Sequence, residues 1–83
     1  MANKNQSYSK PKQSSDWLSE RMEAIGILSL EELAQLTKID RGTLSRYFRQ
    51  ERRPSIDAIG PLCEALRVSP ETLLVALGVI KKK

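Results

Sequence analysis

The chain has no histidine and only one cysteine, Cys63, among its 83 residues. An intrachain disulfide is excluded, and so is a zinc site built from Cys and His. Without a staple, a domain of this size must hold itself with one small core, which favours economical helical packing. Cys63 lies beside Leu62 and near Leu66, where a lone cysteine is expected to be a small core residue rather than a reactive thiol. Aromatics are scarce, and Trp17 and Tyr47 are expected in the core rather than as stacking platforms. No apolar run approaches the roughly 18–20 residues needed to cross a bilayer. The opening "MANKNQSYSKPKQSS" lacks the apolar centre of a signal peptide. A soluble, cytoplasmic protein is the expectation. With no histidine, no Gly-rich phosphate loop and no carboxylate cluster in a pocket-forming pattern, an enzyme is not expected, and neither a cofactor nor a metal is called for.

What the chain does have is segregated charge. The net charge is +4, but residues 1–15 carry Lys4, Lys10 and Lys12 and no acid. Residues 16–37 set Arg21 against Asp16, Glu20, Glu23, Glu31 and Glu32. Residues 38–53 reverse the sign, with Lys38, Arg41, Arg46, Arg49, Arg52 and Arg53 against Asp40 and Glu51. Residues 54–80 are acidic again, and Lys81, Lys82 and Lys83 close the chain. An acidic body with one basic strip and two basic tails makes a directed field whose natural partner is a polyanion.

Residues 1–14 read as a disordered basic tail, polar and broken by Pro11. Five short helices are expected after it. The first runs from about Ser15 to Ile25, with Trp17, Leu18, Met22 and Ile25 on one face and Gly26 as its stop. The second opens on "SLEE", a capping box in which Ser29 and Glu32 serve each other's amides. Leu30, Leu33, Ala34 and Thr37 form its inner stripe. Asp40 is the N-cap of the third helix, whose apolar positions are Leu44, Tyr47 and Phe48. The short link between the two suits a helix-turn-helix. Ser55 should cap the fourth helix, with Ile56, Ile59, Leu62, Cys63 and Leu66 inward and a kink or break at Gly60-Pro61. The fifth opens on "SPET", buries residues among Leu73, Leu74, Ala76 and Leu77, and stops at Gly78.

Taken together, "SLEELAQLTKIDRGTLSRYFRQERRPSIDAIGPLCEALRVSPETLL" resembles the Cro-like, phage-repressor-type helix-turn-helix family of DNA-binding proteins, also called the XRE family. The resemblance covers about Leu18 to Gly78. It implies an all-α fold, a compact bundle of five short helices of the lambda-repressor type. The domain would span residues 15–80, with the motif at 29–49, the recognition helix at 41–49 and a basic tail at 81–83. It implies a sequence-specific regulator of transcription, a repressor that binds double-stranded operator DNA and reads the major groove with its third helix. The setting would be bacterial, plasmid or phage-encoded, and nucleoid-associated. No small-molecule domain is implied, and a homodimer on a two-fold operator stays open.

By position, Leu33, Ala34, Ile39, Leu44 and Tyr47 match the family's motif core, with Ala34 where the two motif helices touch. Asp40, Arg41, Gly42, Ser45, Arg46 and Arg49 match positions that face the groove. Arg41, Gly42, Ser45 and Arg46 are the base-contact candidates: the planar arginine fork suits guanine O6 and N7, and Gly42 leaves room for close approach. Ser29, Thr43, Arg49, Arg52 and Arg53 are the phosphate-contact candidates. The chain departs from the family pattern at five places. Leu30 stands where a phosphate-binding Gln is frequent, Lys38 where the turn usually has Gly, and Phe48 and Gln50 where Glu and Gly are common; Pro61 is unusual in the fourth helix. Phe48 is accordingly expected to be partly exposed. A protein-interaction module on the same fold, such as the antitoxin of a toxin–antitoxin pair, is the competing reading, with Phe48 and Val79-Ile80 as its surface.

Overall fold

Local start and stop signals set five helices. The computed structural model describes residues 8–81, and in it the helices are α1 (Pro11–Ile25), α2 (Leu30–Thr37), α3 (Arg41–Phe48), α4 (Ile56–Leu66) and α5 (Pro70–Ala76). No strand occurs among the described residues. Helix α1 begins at Pro11, ahead of the expected Ser15. Proline suits the first helical position because its missing amide has no helical partner there. The Lys10 amide donates to Gln13 Oε1 at 2.8 Å and closes the first turn. The expected tail is therefore shorter than residues 1–14: Ser14 is fully buried, and its hydroxyl donates to the Ala76 carbonyl at 2.5 Å. The rest of that expectation, residues 1–7, lies outside the described residues, as do Lys82 and Lys83.

Helix α1 ends on Gly26 at φ 83°, where the Ile27 amide reaches back to the Met22 carbonyl at 2.9 Å and Ile27 enters the core. Ser29 caps α2 by accepting from the Glu32 amide at 3.1 Å. Glu32 completes the exchange one residue earlier than a capping box would, on the Leu28 amide at 2.9 Å. The turn into α3 is made by Lys38 at φ 62° and ψ 25°. Its left-handed backbone costs a side-chain-bearing residue about 1–2 kcal/mol. Thr37, buried, ties the same turn by donating to the Leu33 carbonyl at 2.8 Å and accepting from the Ile39 amide at 3.3 Å.

Two expectations for α4 need correction. The break allowed for at Gly60-Pro61 does not occur: the helix is continuous through Pro61, although Pro61 can offer the Asp57 carbonyl no amide. Burial of Ala58, Leu62 and Leu66, on both sides of the proline, holds the helix together. Ile56 does not face inward; it is 89% exposed, and Ala58 takes the first inward place. Ser55 stands at the N-cap position without a side-chain cap bond, whereas Ser69 does cap α5, accepting from the Thr72 amide at 3.1 Å.

The core joins all five helices. Leu33 from α2, Leu44 and Phe48 from α3, Leu62 and Leu66 from α4, and Leu73 from α5 are essentially sealed from solvent. Helix α2 packs on α3 and α4, α4 on α5, and α1 against α3, α4 and α5. The Arg21 guanidinium of α1 reinforces this at the end of α4, donating to the carbonyls of Leu66 at 2.8 Å and Arg67 at 3.0 Å. Trp17 is half-buried against the core and Tyr47 is buried within it. Cys63 is also half-buried, and burial pushes its thiol pKa up.

Candidate nucleic-acid interface

Helix α3 has two faces of opposite character. Leu44, Tyr47 and Phe48 point into the core. Arg41, Arg46 and Arg49 are exposed, and Gly42, Thr43 and Ser45 are half-exposed. The spacing of one face excludes the other: positions 41, 42, 45, 46 and 49 recur at helical intervals opposite 44, 47 and 48. Asp40 starts the helix by accepting from the Thr43 amide at 3.2 Å, and its charge complements the positive helix end. Phe48, expected to be partly exposed, is buried instead. Trp17 of α1 covers it, with stacked rings 6.3 Å apart.

Gly42 shapes the exposed face. A Cβ there would lie 3.0 Å from Asp40 Oδ2 and 3.7 Å from Arg46 Nη1. The Arg46 guanidinium therefore folds back one turn, over Gly42 and toward the N-terminus of α3, as helical side chains tend to. Arg41 is the first residue of the same helix and is exposed. Within 4.0 Å, neither arginine pairs with a carboxylate among the described residues, where the ion pairs are Lys12–Asp16 and Arg49–Glu51.

The phosphate candidates differ in how free they are. Arg49 Nη2 lies 3.2 Å from Glu51 Oε1, with both side chains more than half exposed, so the pair is weak and exchangeable. Arg52 is exposed. Arg53 is also exposed, yet its Nη1 donates to the Leu77 carbonyl at 3.3 Å and ties the α3–α4 loop to the end of α5. Ser29 is occupied as the α2 cap, and Glu31 and Glu32 stand in the same first turn. Those carboxylates oppose an anion at that end of α2. Thr43 gives its amide to Asp40 and keeps its hydroxyl half-exposed. Of the motif core candidates, Leu33, Leu44 and Tyr47 are buried, while Ala34 and Ile39 are half-buried and pack against the core.

No group of three or more His, Cys, Asp or Glu side chains among the described residues could hold a metal ion. Nor is any described helix long and apolar enough to cross a membrane. Sequence reasoning missed Gln50, whose backbone is left-handed at φ 58° just after α3. Its side-chain amide donates to the Ser14 hydroxyl at 2.7 Å and to the Ser9 carbonyl at 2.8 Å. The one signal available was its position, where the resembled family commonly has glycine.

The helix-turn-helix family model matches residues 20–73, from mid-α1 into α5. This chain belongs to the helix-turn-helix family. Its similarity extends to two proteins named as uncharacterized HTH-type transcriptional regulators, from Mycobacterium tuberculosis strains CDC 1551 / Oshkosh and ATCC 25618 / H37Rv. Each is 35% identical over 54 residues, which is 65% of this chain and 39% of that protein. The chain thus matches well under half the length of these helix-turn-helix relatives. No solved structure gives a significant match. The matched segment contains all of α2, α3 and α4, so the exposed arginines of α3 lie inside the family's own motif.

Proposed function

We propose that this protein binds double-stranded DNA in a sequence-specific way and regulates transcription, acting as a repressor by occupying an operator. The observation that carries the reading is the exposed face of α3. It exposes Arg41 at the start of the helix and Arg46 in its last turn, with the Arg46 guanidinium reaching back over Gly42, while the other face is locked in the core. An α-helix fits the major groove, and an arginine fork can pair with guanine O6 and N7 there. Arg46 reads a base, Arg41 a neighbouring one; Gly42 admits the close approach, and Ser45 donates or accepts beside them. Arg49, Arg52, Arg53 and Thr43 hold phosphates, which set the register without reading sequence. Ser29 is the weakest member of that set, because its hydroxyl is already the α2 cap. The reading needs no catalytic group or cofactor, and it places the protein at the nucleoid of a bacterial cell.

Selection of bound duplexes from a random pool near physiological salt tests this. An enriched inverted repeat with half-sites about one helical turn apart identifies a homodimer on a two-fold operator. A single enriched half-site identifies a monomer. Salt-sensitive retention without enrichment means that the cations grip phosphates alone, and the regulator reading fails. The protein-interaction reading has lost one support, since Phe48 is buried.

A further inference from the structure

The two ends of the described chain meet beside the C-terminal end of α3. Lys81 Nζ lies 5.8 Å from the centroid of the Tyr8 ring. Ser9 is fixed from two sides: its hydroxyl donates to the Val75 carbonyl at 2.8 Å, and its carbonyl accepts from Gln50 Nε2 at 2.8 Å. Gln50 Nε2 also donates to the buried Ser14 hydroxyl, and the Ser15 hydroxyl donates to the Phe48 carbonyl at 3.2 Å. Arg53 closes the same junction through the Leu77 carbonyl. Gly78 leaves it no slack, because a Cβ there would lie 2.5 Å from Gln50 Nε2 and 2.6 Å from the Ser9 carbonyl oxygen.

The junction draws together cations that are far apart in sequence. Lys10 and Lys12 follow Ser9, Arg49, Arg52 and Arg53 flank Gln50, and Lys81 follows α5; all six are exposed. The acids paired with them are Asp16, 2.9 Å from Lys12, and Glu51, 3.2 Å from Arg49. Both pairs are solvated and can yield to a phosphate.

We propose that Lys10, Lys12 and Lys81 extend the Arg49–Arg53 cluster into one phosphate-binding strip, which grips the DNA backbone beyond the bases that α3 reads. The inference rests on α3 binding duplex DNA. The strip contributes affinity and salt dependence, and no base preference.

The test uses the full chain and the triple variant K10Q/K12Q/K81Q, both matched in thermal melting. Binding to a duplex carrying the selected site is followed by fluorescence anisotropy across a salt series. A second duplex carries one altered base pair in the site. Each lost phosphate contact makes the slope of log K against log salt shallower by about 0.9, so the triple variant should lose roughly 2 to 3 from the slope. The ratio of affinities for the two duplexes should stay the same. An unchanged slope overturns the strip. So does a changed ratio, since it would put the lysines in base readout. A parent chain that binds both duplexes equally fails the α3 reading instead, and the slope still reports on the lysines. A parent chain that binds neither overturns both.

Discussion

Trp17 and Phe48 stack with their ring centroids 6.3 Å apart and their planes 12° from parallel. That contact joins the helix preceding the motif to the last residue of the helix that carries the exposed arginines. Phe48 is the end of α3, and α1 holds it a second time through the Ser15 hydroxyl, which donates to the Phe48 carbonyl. The orientation of α3 thus depends on α1 as well as on α2.

Trp17→Ala should therefore destabilise the fold. Truncating a fully buried Trp costs about 3–5 kcal/mol, and a half-buried one roughly half of that. We expect about 2 kcal/mol by urea unfolding, with Phe48 becoming accessible. A change below about 0.5 kcal/mol would show that the stack contributes little to holding α3.

Arg46 and Arg49 should fail in different ways. Arg46 lies back over Gly42, whereas Arg49 stands at the end of the helix beside Glu51. Arg46→Ala should cost roughly 1–3 kcal/mol on the selected site and relax the preference at one base pair. Arg49→Ala should weaken all duplexes alike and reduce the salt slope by about 1. Affinity measurements on the site and on its single-base variants separate the two. Loss of a base preference in the Arg49 variant would reverse the assignments.

Cys63 is half-buried on α4, and burial raises the pKa of its thiol. A raised pKa means a smaller thiolate fraction at neutral pH, and the thiolate is the nucleophile. Iodoacetamide should therefore label Cys63 more slowly than it labels a free thiol at pH 7.5, with the gap narrowing once urea unfolds the chain. Labelling at or above the free-thiol rate in the native protein would contradict the burial argument.

Features that depend on a few neighbouring residues were legible in the sequence. Ser29, Asp40 and Ser69 cap α2, α3 and α5 because a cap needs only a side-chain oxygen and an amide two or three residues on. The exposure of Arg41 and Arg46 follows as the complement of the apolar stripe through Leu44, Tyr47 and Phe48. Features set by distant partners were not legible. Phe48 is buried because Trp17 lies over it, and α1 starts early because Ser14 has Ala76 and Gln50 to bond. Ile56 is left exposed because α4 turns Ala58 inward. The contacts of Arg21 with Leu66 and of Arg53 with Leu77 span 45 and 24 residues, and no local pattern announces them.

The left-handed residues Lys38 and Gln50 make a matched pair with opposite expected outcomes. Both have side chains at a positive φ, 62° and 58°, and both would lose that strain as glycine. Relief is worth about 1–2 kcal/mol, offset by the roughly 0.5–1 kcal/mol that glycine costs through the freedom of the unfolded chain. Lys38 is exposed and forms no salt bridge within 4.0 Å among the described residues, so its glycine variant loses little. Lys38→Gly should raise stability by about 0.5–1 kcal/mol. Gln50→Gly would lose two hydrogen bonds, to Ser14 and Ser9, each worth about 0.5–1.5 kcal/mol, and would leave the Ser14 hydroxyl facing a gap. It should be neutral to destabilising by about 1 kcal/mol despite the relief of strain. Urea unfolding of the two variants side by side decides the point. Equal stabilisation in both would mean that the Gln50 amide contributes nothing at the junction, and that backbone strain alone governs the two turns.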